Sequence, residues 1–133
     1  MAVREEQMSE HWQWIEHKGK RILFANFAGI KEEGIYLQAI TDLEREILRQ
    51  PKGQVIPLLM DVTDTRLNKA VSNRGKQMME TAKAKGVPDG PAALIGLSGL
   101  QKAIVLAIQL IRPDTRVFDS LEEAKDWIVN RLK

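Results

Sequence analysis

The chain contains no cysteine. Disulfides, thiolate nucleophiles and zinc–thiolate sites are therefore excluded, and the composition agrees with a reducing cytosol. Histidine is nearly as scarce: His11 and His17 are the only two in 133 residues. Both fall in the first predicted strand or its turn, where six residues of extended chain separate them by roughly 20 Å, too far to share a metal ion. No histidine lies beyond residue 17 and no G-x-S-x-G elbow occurs, so a Ser-His-Asp triad has no support. Gly96-Leu97-Ser98-Gly99 follows a strand, yet lacks both the G-x-G-x-x-G spacing and the G-K-[ST] ending of a phosphate cradle. With base, nucleophile and cofactor motifs all missing, the residues point away from an enzyme, and no metal or cofactor is expected.

Charge of one sign is also in short supply. The net charge is +2, too small to argue for nucleic acid or an anionic membrane as partner. Long apolar runs are absent. The most apolar stretch, Leu100 to Ile111, has twelve residues against the ~20 that a bilayer span needs. The start, Met1-Ala2-Val3-Arg4-Glu5-Glu6, has no apolar core of the kind a secretory signal carries, and a cytoplasmic protein is expected. What is present, 44% apolar and 29% charged residues, is the composition of one globular domain.

Residues 1–9 are polar and expected to fray, leaving one domain over 10–133. His11 to Ile15 and Lys20 to Phe27 read as strands joined by the turn His17-Lys18-Gly19-Lys20. Lys31 to Arg49 reads as a helix, with Tyr36, Ile40, Leu43 and Ile47 on one stripe. Val55 to Val62 is the third strand; Pro57 inside it predicts a bulge or irregular pairing. Leu67 to Lys85 is a weaker helix interrupted by Gly75, and Ala92 to Leu97 a fourth strand. Ser98 to Gln101 matches a capping box that opens a third helix to Ile111. Thr115 to Phe118 is a short fifth strand, and Ser120 to Glu123 a second capping box before a last helix. The order ββαβαβαβα predicts an α/β fold with a mixed five-stranded sheet and four helices.

Asp61, Thr63, Asp64, Thr65 and Arg66 stand where the third strand ends, at the sheet edge where open α/β folds carry ligand or regulatory chemistry. Carboxylates beside hydroxyls suit a cation, or a threonine that accepts phosphate. On the residues alone, helix capping and turn amides account for them first. Ser98 and Lys102 are their expected neighbours at the next strand end, where a helix N-terminus favours anions, although Ser98 also reads as a simple cap. Trp12 and Trp14 share one face of the first strand and read as packing against a helix or a partner subunit. The runs Glu44-Arg45-Glu46 and Lys83-Ala84-Lys85 read as solvated helix faces. Nine of the twelve residues from Leu100 to Ile111 are apolar, so that helix is either buried or meets a partner or apolar ligand; Leu106 and Ile108 are its interface candidates.

The element order resembles the STAS domain, and within it the SpoIIAA-like group of small stand-alone bacterial proteins. The likeness runs from Trp12 onward. It rests on the hairpin with Gly19-Lys20-Arg21-Ile22-Leu23, the strand Leu58-Leu59-Met60-Asp61, Ile95-Gly96-Leu97-Ser98-Gly99 with Lys102, and the ending Val117-Phe118-Asp119-Ser120-Leu121-Glu122-Glu123-Ala124-Lys125-Asp126-Trp127-Ile128. The resemblance implies a non-enzymatic regulatory module like the anti-sigma-factor antagonists, binding a kinase-like protein partner. In such domains a serine after the third strand is phosphorylated. Here the matching place reads Asp61-Val62-Thr63-Asp64-Thr65, where Thr63 or Thr65 would substitute. A homodimer is expected. The competing expectation is a small carrier that holds an apolar or lipid-like ligand near the third helix.

Overall fold

The structure, a computed structural model, describes residues 11–66, 68–97, 109 and 112–132. Its elements are β1 (Trp12–His17), β2 (Lys20–Asn26), α1 (Glu33–Arg49), β3 (Leu58–Asp61), α2 (Lys69–Ala84), β4 (Ala92–Ile95), β5 (Thr115–Phe118) and α3 (Leu121–Arg131). They form one five-stranded sheet in the order β1-β2-β3-β4-β5. β1 and β2 are antiparallel, and the β2–β3, β3–β4 and β4–β5 pairs are parallel, so the sheet is mixed as expected. The described order is ββαβαββα, with three helices rather than four. The helix expected over Leu100 to Ile111 lies outside the described residues except for Gln109, which is helical. Residues 1–9 are likewise outside them.

Alternation along the strands sorts side chains onto two faces. Leu23, Ala25, Leu58, Met60, Ala92 and Leu94 meet α1 and α2, whereas Ile22, Leu59, Ala93 and Ile95 meet α3. Both faces of the central strands are thus buried, which explains their near-continuous apolarity. The stripe Tyr36, Ile40, Leu43 and Ile47 is the buried side of α1. Val71, Met78, Met79 and Ala82 are the buried side of α2. Inside α2, Gly75 costs about 1 kcal/mol relative to alanine. The Ser120 hydroxyl accepts the Glu123 amide at 3.1 Å and caps α3, as its capping box predicts.

Two expectations are corrected. β3 begins at Leu58, after Pro57, so the proline carries no ladder donor and needs no bulge; its carbonyl still accepts from the Leu23 amide at 2.9 Å. Glu46 does not lie on a solvated face. It is 2% exposed, and its carboxylate accepts from the Trp14 indole at 2.7 Å, Arg49 Nε at 2.9 Å and Gln50 at 2.9 Å. A buried carboxylate is tolerable only when its lone pairs are satisfied in this way.

At the other end of the strands, Arg112 is buried and fastens three loop carbonyls. Its guanidinium donates to Gly90 O at 2.9 Å, Pro91 O at 3.2 Å and Ile56 O. Desolvation lowers its pKa to about 10, opposed by Asp89 and Asp114, so it stays cationic at neutral pH.

Candidate functional site

β2, β3 and β4 are parallel and end in register, with Asn26 beside Asp61 and Asp61 beside Ile95. Their following loops emerge together at one edge of the sheet. The β2–β3 ladder continues beyond the strands: Phe27 N donates to Asp61 O at 2.9 Å, Gly29 N to Thr63 O at 2.9 Å, and Arg66 N to Ile30 O at 3.0 Å. On the other side, Val62 N donates to Ile95 O at 3.0 Å. Three loops are therefore joined by main-chain bonds into one platform.

Side chains fix the turn at its centre. Asp61 Oδ1 accepts the Thr63 amide at 2.9 Å, an Asx turn. Asp64 follows with φ of 54°, in the left-handed region that aspartate tolerates better than most residues. Its carboxylate lies 3.4 Å from Lys31 Nζ, and both side chains are more than half exposed, so the pair is worth no more than about 1 kcal/mol. The Thr65 hydroxyl donates to Val62 O at 2.9 Å and is also hydrogen-bonded to the hydroxyl of Tyr36. Burial raises the Tyr36 pKa to about 12, with the Thr65 bond opposing the shift. Asn68 closes the segment by capping α2 through the Val71 amide at 2.9 Å while reaching Glu33 at 2.7 Å.

The neighbouring loop touches this turn at Gly96, which has φ of 86°. A Cβ there would stand 2.6 Å from both Thr63 Cα and Thr63 N, a distance no side chain tolerates. Glycine is required twice over, by its dihedral and by the approach of Thr63.

Of the residues singled out in the sequence, Asp61, Thr63, Asp64, Thr65 and Arg66 share this platform. Thr63, Asp64 and Arg66 are exposed, whereas the Thr65 hydroxyl is engaged internally. Ser98, Lys102, Leu106 and Ile108 lie outside the described residues. Trp12 is not a surface group: it is 7% exposed and belongs to the core under α1. Trp14 is half-buried against the same core, with its indole N–H on Glu46 and Arg21 4.3 Å from its ring centroid. Packing against a helix is therefore what both tryptophans do. His17 sits 2.7 Å from Asp126, joining the hairpin to α3. Among the described residues no group of three or more His, Cys, Asp or Glu is placed to hold a metal ion, and no helix is long and apolar enough to cross a membrane.

Lys31, Tyr36 and Gly96 also belong to the platform, and the first two carry no mark of it in the sequence. Lys31 and Tyr36 meet the turn from positions 33 and 29 residues away in the chain, and no local pattern marks such pairings. Gly96 does stand out, because a glycine directly after a buried strand signals a close backbone approach.

No family model matches the chain, and no curated protein matches it. Among solved structures it is similar to an uncharacterized protein of the DUF3478 family with a SpoIIAA-like fold from Shewanella loihica PV-4. The TM-score is 0.65 and the identity 18%, over 91% of this chain and 97% of that one. The chain has a SpoIIAA-like fold, as its sequence resemblance implied. At this identity the likeness concerns fold alone.

Proposed function

We propose that the protein is a non-catalytic regulatory module that docks a protein partner on the platform formed by the ends of β2, β3 and β4. The observation that carries this reading is the locking of Thr63 between Gly29 and Gly96, which fixes the backbone from which Thr63, Asp64, Lys31 and Arg66 project. A surface ordered before association loses little conformational freedom on binding. Its mixed charges suit a partner that recognises by electrostatic complementarity, such as the kinase-like regulator the fold suggests.

Within this reading Thr63 is the phospho-acceptor and Thr65 is its support. The Thr63 side chain is exposed, whereas the Thr65 hydroxyl already bridges Val62 and Tyr36. A phosphate on Thr63 would meet repulsion from Asp61 and Asp64 and attraction from Lys31, so it would change the charge presented to the partner without repacking the core.

Thr63→Asp tests the proposal more cleanly than a change at Thr65, because it leaves the internal bonds alone. Affinity capture from the source cell with wild type and Thr63→Asp should recover different partners, while melting temperature stays unchanged. Identical partner sets from two equally folded baits would make this turn a structural cap and remove the proposed site.

A further inference from the structure

Between α1, α2 and the sheet lies a cleft of about 60 Å³. That is roughly two water molecules' share of liquid volume. Its walls are apolar: Tyr36 and Ile40 from α1, Met60 from β3, and Val71, Met78 and Met79 from α2. The Tyr36 hydroxyl is taken by Thr65, and Ser72 is the other polar residue on the wall. Protein interiors are normally packed without such gaps, since the lining atoms lose their contacts.

Gly75 lies on this wall, in the middle of α2. Six other described glycines have a local reason. Gly19, Gly29, Gly53, Gly86 and Gly96 have positive φ, and Gly90 is crowded by Val55. Gly34, in the first turn of α1, has neither, but it does not border the cleft. Gly75 has no positive φ, and no described atom lies within 4 Å of where its Cβ would be. Alanine would fit there, favour the helix and narrow the cleft. Among the described residues neither backbone geometry nor packing asks for glycine at 75; its structural effect is to keep the cleft open.

The geometry points to a binding site for the unbranched alkyl chain of a small molecule, inserted between α1 and α2 beside Gly75. The available space admits about two methylene-sized units outright, and is far below the ~150 Å³ of a cavity that holds benzene. Met78 and Met79 are unbranched and re-rotamerise readily, so the cleft adapts to a chain better than to a rigid ring. Among the described residues no charged side chain lines it, so the polar end of the ligand stays outside. The apolar-ligand expectation thus moves from Leu100 to Ile111, outside the described residues, to the cleft between the first two helices.

The test is an NMR titration of the whole chain with sodium butanoate, hexanoate and octanoate, each below its micellar range. Wild type should show saturable shifts at the methyls of Ile40, Val71, Met78 and Met79. Affinity should rise about fourfold per methylene until the cleft is full. Gly75→Leu, which fills the cleft, should weaken octanoate roughly fifteenfold, the loss of about two buried methylenes. If Gly75→Leu does not fold, Gly75→Ala should melt higher than wild type and bind severalfold more weakly. Absence of saturable shifts in wild type, shifts scattered over surface methyls, or wild-type affinity in a folded Gly75 variant would each overturn the proposal.

Discussion

Thr63 packs so closely against Gly96 that its own backbone occupies the place where a side chain at residue 96 would begin. The contact, which also involves the Thr63 hydroxyl oxygen, brings the loops after β3 and β4 together. Gly96→Ala must therefore move one loop away from the other, with added strain from φ of 86°. We expect a loss of about 3 kcal/mol in urea denaturation, from overpacking and backbone strain together. An unchanged midpoint would mean that the two loops are not tightly apposed.

Tyr36 is the only tyrosine of the chain, so its ionisation is visible directly in ultraviolet absorbance. Burial raises its folded pKa to about 12. The phenol is thus favoured in its neutral form, and the corresponding stability is complete below pH 10 and lost as pH rises from 10 through 12. Relative to Tyr36→Phe, wild type should lose up to about 3 kcal/mol over that interval. At neutral pH, Thr65→Val should cost more than Tyr36→Phe, about 2 kcal/mol, because it strands a buried hydroxyl. Titration of Tyr36 near pH 10 in the folded protein would contradict its burial.

Arg112 makes a separate prediction about the opposite end of the strands. Replacing it with methionine leaves the carbonyls of Gly90 and Ile56 without that donor, at about 3–5 kcal/mol. Arg112→Lys should recover little of this, since an ammonium cannot reproduce the planar fork. Full recovery by lysine in thermal melts would show that charge alone matters there.

The acid limb of stability should report the joint between hairpin and α3. The His17 bond and, after it, the Lys18 bond hold the Asp126 carboxyl below its ordinary value of 3.8. A depressed carboxylate contributes stability above its unfolded pKa and loses it as pH falls through the folded one. The difference in melting temperature between wild type and Asp126→Asn should be present at pH 7 and fade as pH falls below the ordinary carboxyl value of 3.8. A constant difference across that range would exclude the carboxylate as its source.

The sequence revealed most where one element could be read by itself. The stripe Tyr36, Ile40, Leu43 and Ile47 predicted the buried face of α1, and Ser120 with Glu123 predicted the start of α3. It misled where pairing across the fold decides. Glu46 carries the mark of a surface charge, and only Trp14 arriving from β1, with Arg49 and Gln50 of its own last turn, makes it a buried acceptor. Arg112 stands directly before a proline with no local pattern that marks it, yet it clamps three carbonyls. The platform was half legible. Strand-end chemistry marked Asp61 to Arg66, but the bonds that fix it come from Gly29, Ile30 and Tyr36, whose relation to the turn exists only once β2 and β3 are parallel.

The most direct test of partner docking is site-specific photocrosslinking in the source cell. Benzoylphenylalanine would replace Lys31 or Arg66 on the platform, with exposed Lys85 at the end of α2 as the control position. The account predicts a discrete protein adduct from positions 31 and 66, none from 85, and loss of the adduct in the Thr63→Asp background. Equal adducts from all three positions, or none from the platform in folded protein, would contradict it.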